Sequence, residues 1–432
     1  MEVAVIGGGL AGAESAFQLA KRGIEVTLYE MRPHRTTPAH KTGDLAELVC
    51  SNSLKSTELT NAHGLLKEEL RTLGSIIIQA ADKTSIPGGK ALVVDRVQFA
   101  ARVTQALSSH EHIRVEREEV RDLVKGVSIV ATGPLTSDSL SKRISTLTGA
   151  ENLHFFDAIS PIVDGASIDM EHAFFGSRYM AGADDYLNCP LTEEEYAAFY
   201  EGLLAACRVD LRPFEETQYF EGCLPVEIMA ERGRQTLAYG PMKPVGIVNP
   251  NSKEQPYAVV QLRREDAGGR MYNLVGFQTK LTYPEQDRVF RLIPALRNAI
   301  FHRYGSIHRN TFIDSPTVLS ASLQLRSNPE TFFAGQITGV EGYVESTAMG
   351  LLAGISALCF LSGKRFVPPP PDTCVGALVA YITTPRKDFQ PMNINFGLLA
   401  NYSKKKKESV IRNALESIAA WRGQIEEALR ER

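Results

Sequence analysis

Residues 3–30 read VAVIGGGLAGAESAFQLAKRGIEVTLYE. The apolar run Val3 to Ile6 passes directly into Gly7-Gly8-Gly9-Leu10-Ala11-Gly12, which opens an amphipathic helix, and a second run, Glu25 to Tyr29, ends in Glu30. This is a G-x-G-x-x-G fingerprint in the order it requires: strand, tight turn, helix, strand, acid. Gly7 permits the turn, Gly9 lets the backbone approach a pyrophosphate, and Gly12 lets the helix lie close on the strand. The helix N-terminus then faces phosphate charge. Glu30 stands where a carboxylate accepts hydrogen bonds from an adenosine ribose. The stretch predicts a dinucleotide-binding βαβ unit.

Working outward, the chain of 432 residues has room for two or three domains. With 44% hydrophobic and 22% charged residues it has the composition of a soluble globular protein. Its first strand begins two residues from Met1, which predicts no signal peptide. The longest apolar stretch, around Leu351 to Leu361, is read as a buried helix too short to span a bilayer. The six cysteines, at 50, 189, 207, 223, 359 and 374, form no CxxC pair and no metal-type spacing, so free thiols in a reducing cytoplasm and no metal site are expected. Net charge is −3, yet residues 261–310 carry Arg or Lys at 263, 264, 270, 280, 288, 291, 297, 303 and 309 against acids at 265, 266, 285 and 287. Lys404 to Lys407 is a second basic run. Either run is a solvated face or a surface for a polyanion.

The organisation predicted is α/β. A loop follows Glu30, a helix covers 61–74, and SIVATG (128–133) is a buried strand closing on Ala131-Thr132-Gly133. Residues 156–310, rich in aromatics and short alternating strands such as Tyr257 to Leu262 and Tyr272 to Phe277, read as an inserted α+β domain. From Phe332, FFAGQITGVEGYVESTAMGLLAG returns to a strand, a glycine turn and a long small-residue helix. Residues 1–155 and 311–432 are therefore expected to form one Rossmann-like FAD-binding domain of the two-dinucleotide-binding-domain type, in which the insertion faces the flavin. Gly335, Gln336 and Ile337, with Gly339 and Gly342, precede a helix N-terminus suited to a flavin carbonyl or ribityl oxygen, or to plain helix–strand packing. Gly7, Gly8, Gly9, Leu10, Ala11, Gly12, Glu30, Thr132 and Gly133 complete the expected cofactor contacts. Pro368 to Pro371 reads as a rigid connector. Ile411, Leu415, Ile418, Trp421, Ile425 and Leu429 place one apolar face on a final helix.

Two cysteines sit in polar or glycine-rich surroundings: Cys50 in Val49-Cys50-Ser51-Asn52-Ser53 and Cys223 in Glu221-Gly222-Cys223-Leu224-Pro225. The other four read as inert, Cys207 and Cys359 in apolar helical stretches, Cys189 and Cys374 in loops. Reactivity needs a lowered thiol pKa, which composition does not reveal.

Longer motifs narrow the reading. YEMRP (29–33), TPAH (37–40), ELVCSNSL (47–54), ATGPLTS (131–137), SPIV (160–163), FEGCLPVEIMAERG (220–233), YGPMKPVG (239–246), HRNTFI (308–313) and AGQITGVEGYVES (334–346) run in order over most of the chain. Together they resemble the family of folate- and FAD-dependent tRNA (uracil-5-)-methyltransferases, which is related to a larger flavoprotein of wobble-uridine modification with an extra C-terminal helical domain. The resemblance implies transfer of a one-carbon unit from 5,10-methylenetetrahydrofolate, through reduced FAD, to C5 of a T-loop uridine, with NAD(P)H as reductant. Partners implied are tRNA, folate and NAD(P)H, without a membrane; the oligomeric state stays open.

The resemblance also distributes roles. Uracil C5 is a poor nucleophile until a thiolate adds to C6, a task for cysteine. Cys223 matches the position of that nucleophile, and Cys50 matches a position beside the flavin. His308 is a candidate to stack on the pterin, or a packing histidine. Tyr343 is a candidate to face substrate. Glu345 is a candidate to remove the C5 proton or to cap a helix. Lys243 and Arg309 are candidates for folate glutamate or RNA phosphate. Tyr283-Pro284 departs from the family's Trp-Gly pair. Ribosomal RNA as substrate, a small-molecule flavin oxidoreductase, and a non-catalytic RNA-binding flavoprotein remain competing readings.

Overall fold

The computed structural model describes residues 2–149, 153–180, 183–209, 224–250, 252–400 and 402–430, leaving aside the side chains of Phe155, Phe156, Arg309 and Lys404. Its centre is a six-stranded sheet in the order Gln324–Leu325, Asn328–Phe333, Ser128–Val130, Glu2–Ile6, Glu25–Tyr29, Ile113–Glu116. Every pairing is parallel except the edge hairpin 324–325 with 328–333. Val3, Val5, Leu28, Ile129, Val130, Phe332 and Phe333 are buried, as expected of parallel strands covered on both faces. The first and last thirds of the chain thus share one sheet.

The helix Leu10–Ala20 crosses this sheet, and the helix Tyr343–Leu361 packs along it. Small residues permit the approach. A Cβ at Gly350 would lie 2.2 Å from the Ala11 carbonyl oxygen, and Ser15 Oγ donates to the Gly350 carbonyl at 2.8 Å. The 343–361 helix starts well before the apolar run that signalled it, and its 19 residues are long and apolar enough to cross a membrane. It is instead the core helix of this fold, 89% of its apolar window buried inside the protein. Of the second glycine cluster, Gly335 lines the cavity described below, while Gly350, further along the helix, serves the packing of helix on helix.

A second six-stranded sheet, antiparallel throughout, runs Phe174–Gly176, Tyr186–Leu191, Ala258–Arg264, Met271–Leu274, Ile162–Asp164, Phe301–Arg303. It has its own core around Tyr196, Phe199, Phe277 and Phe290. An antiparallel ribbon, Leu153–Ile159 against Ser306–Phe312, carries the chain out to this sheet and back. A third small sheet, Ser53–Ser56 with Ala91–Val94 and Ser85–Ile86, was not expected. It starts right after Cys50 and so fixes where that loop ends.

Three cysteine placements differ from expectation. Cys189 is buried within a strand and Cys374 is buried at the first position of the helix Cys374–Thr383, while Cys207 is exposed beyond the end of the helix Glu193–Leu204. Elsewhere the periodicity reads correctly. Ala62–Thr72 is helical, and the helix Lys407–Arg430 buries Ile411, Ile418, Trp421 and Ile425, with Leu415 and Leu429 partly buried on the same core.

Candidate functional site

The turn at Gly7 to Gly12 has the geometry its glycines predict. Gly7 has φ +104°, and a Cβ there would meet the Ala131 carbonyl oxygen at 2.6 Å. A Cβ at Gly12 would stand 1.8 Å from the Gly7 carbonyl oxygen, so the helix sits on the turn only because Gly12 lacks one. Gly9, by contrast, has an ordinary φ of −74°, and no protein atom lies within 4 Å of where its Cβ would be. Gly133 also opens onto free space. A cradle that a side chain would fill, over a glycine turn and a helix N-terminus, fits the pyrophosphate of FAD. The cavity is also lined by Leu10, Ala11, Thr132, Gly335 and Gln336.

Two expected contacts stand in surroundings the sequence did not show. Ile337 is fully buried among Phe333, Ile313 and Leu319 and does not line the cavity. Glu30 lines it, but its carboxylate is already committed. It accepts the Gly8 N–H at 3.0 Å, the Arg32 N–H at 3.0 Å, Arg32 Nε at 2.9 Å and Arg32 NH2 at 3.0 Å. Four donors meet the roughly four lone-pair sites of a carboxylate. Burial works against the charge, and the Arg32 guanidinium outweighs it, holding Glu30 below the usual carboxylate range. A ribose hydroxyl would have to displace an Arg32 nitrogen; NH1 of Arg32 keeps Glu47 at 3.0 Å as a second anchor.

A second cavity adjoins the first and shares Val49, Pro134, Leu135, Gln336 and Tyr343 with it. Cys50, Glu345, His308 and Asp157 also line it. The Cys50 loop is held from both sides. Tyr343, the first residue of its helix, has its hydroxyl oxygen accept the N–H groups of Cys50 at 2.8 Å and Ser51 at 3.1 Å. Tyr343 therefore shapes this loop as well as lining the cavity. Asn52 Nδ2 donates to the Val94 and Arg264 carbonyls, both at 2.9 Å, and Asn52 Oδ1 accepts Arg263 Nε at 2.9 Å. Arg263 NH2 reaches Ser51 Oγ at 2.7 Å. Arg263, expected on a basic surface, is 7% exposed and lines this cavity.

The titratable groups are set apart by their surroundings. Burial, with Asp157 nearby, pushes the Cys50 thiol up to about 12, so it stands protonated at neutral pH. Burial and the Arg303 and Lys41 charges push His308 down to about 4, leaving a neutral ring, with Ser306 Oγ at 2.9 Å. Burial and Asp157 push Glu341 up to about 8. Glu345 is fully buried; burial opposes its charge, but His63 and Lys55 outweigh burial and keep it below the usual range. Its Oε1 accepts the Ile394 N–H at 3.1 Å and lies 3.3 Å from His63 Nε2. Glu345 thus carries an ionised carboxylate in the cavity wall beside a neutral thiol and a neutral acid.

The remaining expected residues are not all assembled here. Lys243 is exposed and lines neither cavity. The side chain of Arg309 and the whole of Cys223, the expected nucleophile, lie outside the described residues. Asn52, Arg263, His63, Asp157 and Glu341 were missed by the sequence reading. Asn52 and Glu341 lie inside motifs it had quoted; the other three carry no local signal. Four of the basic residues of 261–310 sit in ion pairs: Arg264 with Asp184, Arg270 with Asp266, Arg288 with Glu285, Arg291 with Asp287.

A nucleotide cradle at the end of a parallel sheet, opening onto a cavity framed by an inserted antiparallel sheet, defines a flavoprotein of the FAD-binding Rossmann type. The chain matches the model of the family described as glucose inhibited division protein A over residues 2–365. A methylenetetrahydrofolate–tRNA-(uracil-5-)-methyltransferase TrmFO of Persephonella marina is 54% identical over 418 residues, 96% of both chains, and that of Bacillus cereus is 55% identical over 423 residues, 96% of this chain and 98% of the relative. The chain belongs to the glucose inhibited division protein A family and, within it, groups with these methyltransferases. The structure of Aquifex aeolicus GidA superposes with a TM-score of 0.71 at 17% identity, covering 98% of this chain and 73% of that one, a likeness of fold.

Proposed function

We propose that this protein is a folate- and FAD-dependent RNA methyltransferase that places a methyl group on C5 of a uridine in the tRNA T loop, using methylenetetrahydrofolate as carbon donor and NAD(P)H as reductant, in the cytoplasm. The observation that carries this reading is the junction of the two cavities: the nucleotide cradle leads, across Gln336 and Tyr343, into a pocket that holds Cys50, His308 and Glu345. FAD bound in the first cavity supplies the redox chemistry that brings the carbon to the methyl level.

The chain's own residues supply the rest. The neutral, largely buried His308 ring offers a flat, uncharged face suited to a pterin. Gln336 and Tyr343 border both compartments and hold the partners in one line. Glu345 is the base for the C5 proton, because it is the carboxylate lining this pocket that is held ionised and so is able to take one. Cys223 is the thiol for C6, by its motif. The neutral Cys50 thiol stands on the flavin side of the pocket, as the motif around it implies.

The test is incubation of the purified protein with unmodified tRNA transcript, folate labelled at the methylene carbon and NAD(P)H, followed by nucleoside analysis. Label in 5-methyluridine of the T loop is the expected result. Label drawn from S-adenosylmethionine, or found only when ribosomal RNA replaces tRNA, refutes the reading.

A further inference from the structure

His63 faces Glu345 from outside the motifs that define the site. It occupies the first turn of the helix Ala62–Thr72, whose N-cap is Asn61. Asn61 Oδ1 accepts the His63 N–H at 3.0 Å and lies 3.0 Å from His63 Nδ1. An amide oxygen is only an acceptor, so Nδ1 carries the hydrogen and Nε2 is the nitrogen free to gain or lose one. That nitrogen is 3.3 Å from Glu345 Oε1, a separation typical of catalytic contacts that tighten when substrate binds. The other carboxylate oxygen, Oε2, is buried and has no hydrogen-bond partner among the described residues, although Glu345 lines the cavity. A buried oxygen without a donor is costly unless its partner arrives with the substrate. His63 Nε2 is itself buried and without a hydrogen-bond partner among the described residues, whereas the side chain as a whole is 18% exposed and its Nδ1 contact with Asn61 lies on the exposed side. Lys67 Nζ, which donates to the carbonyls of Leu54 at 2.8 Å and His63 at 2.9 Å, and Lys55 are the cations around the pair.

We propose that His63 is a positioning residue for Glu345 and the exit for its proton, an assignment that rests on the methyltransferase reading above. The C5–H bond of the uridine breaks, its electron pair stays on the base, and the proton passes to Glu345. The carboxyl group hands it to His63 Nε2, the imidazolium loses its Nδ1 proton to water on the exposed side beside Asn61, and exchange with water restores the Nδ1–H tautomer. Glu345 returns to carboxylate, and no oxidant or reductant enters these transfers. The device answers a problem set by burial: a fully enclosed carboxylate that has taken a proton has no water to give it to.

The experiment is tritium release from tRNA carrying [5-³H]uridine, with the flavin-loaded full-length protein, methylenetetrahydrofolate and NAD(P)H. His63→Ala is expected to slow release about 100-fold, on the scale of a lost acid–base partner, with flavin content and flavin reduction by NAD(P)H unchanged. Added imidazole restores most of the rate. His63→Gln, which keeps the shape and a donor yet carries no proton onward, remains slow and guards against a folding defect in the alanine variant. Wild-type release from His63→Gln, or a loss in His63→Ala that imidazole fails to relieve, overturns the assignment. Absence of release from the unmodified protein refutes instead the methyltransferase reading on which it rests.

Discussion

Gly9 and Gly12 are two glycines of one turn with opposite duties. Gly12 is required by the protein itself, since its Cβ would stand 1.8 Å from a backbone oxygen. Gly9 is required only by what the cradle holds, since its Cβ meets nothing. Gly9→Val is therefore expected to fold with a loss of at most about 1 kcal/mol from poorer helix capping, and to be colourless, its FAD affinity reduced at least about 10-fold. Thermal unfolding of the apoprotein together with flavin absorbance checks this; a variant that stays fully yellow removes the cradle from the cofactor. The thiols divide in the same way. Cys50, pushed up to about 12, is expected to resist iodoacetamide at neutral pH, whereas Cys207 is exposed to the reagent and is expected to be labelled first. Peptide mass spectrometry of the native protein reads both; rapid labelling of Cys50 refutes its protonated state.

At the scale of elements, a buried carboxylate ties the C-terminal third to the N-terminal one. Glu69 on the helix Ala62–Thr72 accepts the N–H groups of Cys374 at 2.8 Å and Val375 at 2.9 Å, capping the helix Cys374–Thr383 across 305 residues of sequence. Burial pushes Glu69 up to about 8. The folded value lies above that of the unfolded chain, about 4.3 for a glutamate. Its contribution is thus full below the unfolded value and is lost as pH rises through about 8. Urea unfolding across about pH 5 to 9 is expected to show stability falling with pH at this site, and Glu69→Gln to flatten that slope. Glu69→Ala leaves two buried donors unmet and costs about 2–5 kcal/mol. A Glu69→Gln profile parallel to that of the parent denies Glu69 the titration.

At the scale of the whole molecule, the charge that matters is set by the fold. Four of the arginines of 261–310 sit in ion pairs, while Lys280 and Arg303 turn into a large cleft of about 1610 Å³ that Lys41 and Lys142 border from the FAD-binding side. Tyr283 and Tyr304 stack at 4.8 Å in the same cleft, and His308 is common to it and to the reaction pocket. Tyr283-Pro284, the departure from the family pattern, thus starts the helix Tyr283–Phe290 and keeps an aromatic face there. Cations beside stacked rings suit an RNA strand. Lys41→Glu and Lys142→Glu are each expected to weaken tRNA binding and to lower the slope of log affinity against log salt by roughly 0.7–0.9, with flavin content unchanged. Unaltered slopes in a salt titration mark the cleft as merely solvated.

What the sequence by itself determined is local in nature. The turn from Ile6 to Gly12, the buried strand at 128–130, and the apolar stripe of the last helix follow from side-chain spacing and glycine geometry within a few residues. The long motifs added Cys50, His308, Tyr343 and Glu345 as members of one site, and the fold gathers all four around one cavity. The tertiary structure alone decided the rest, because burial and partner choice depend on residues far apart in the chain. Glu30 reads as free for a ribose until Arg32 folds back on it. Arg263 reads as surface charge until a strand of the insertion carries it 211 residues back to Asn52. His63 has no motif at all, and it becomes significant only because the helix that bears it begins against Glu345. A charge acquires its state from the water and the partners the fold leaves it, and neither is written in its neighbours along the chain.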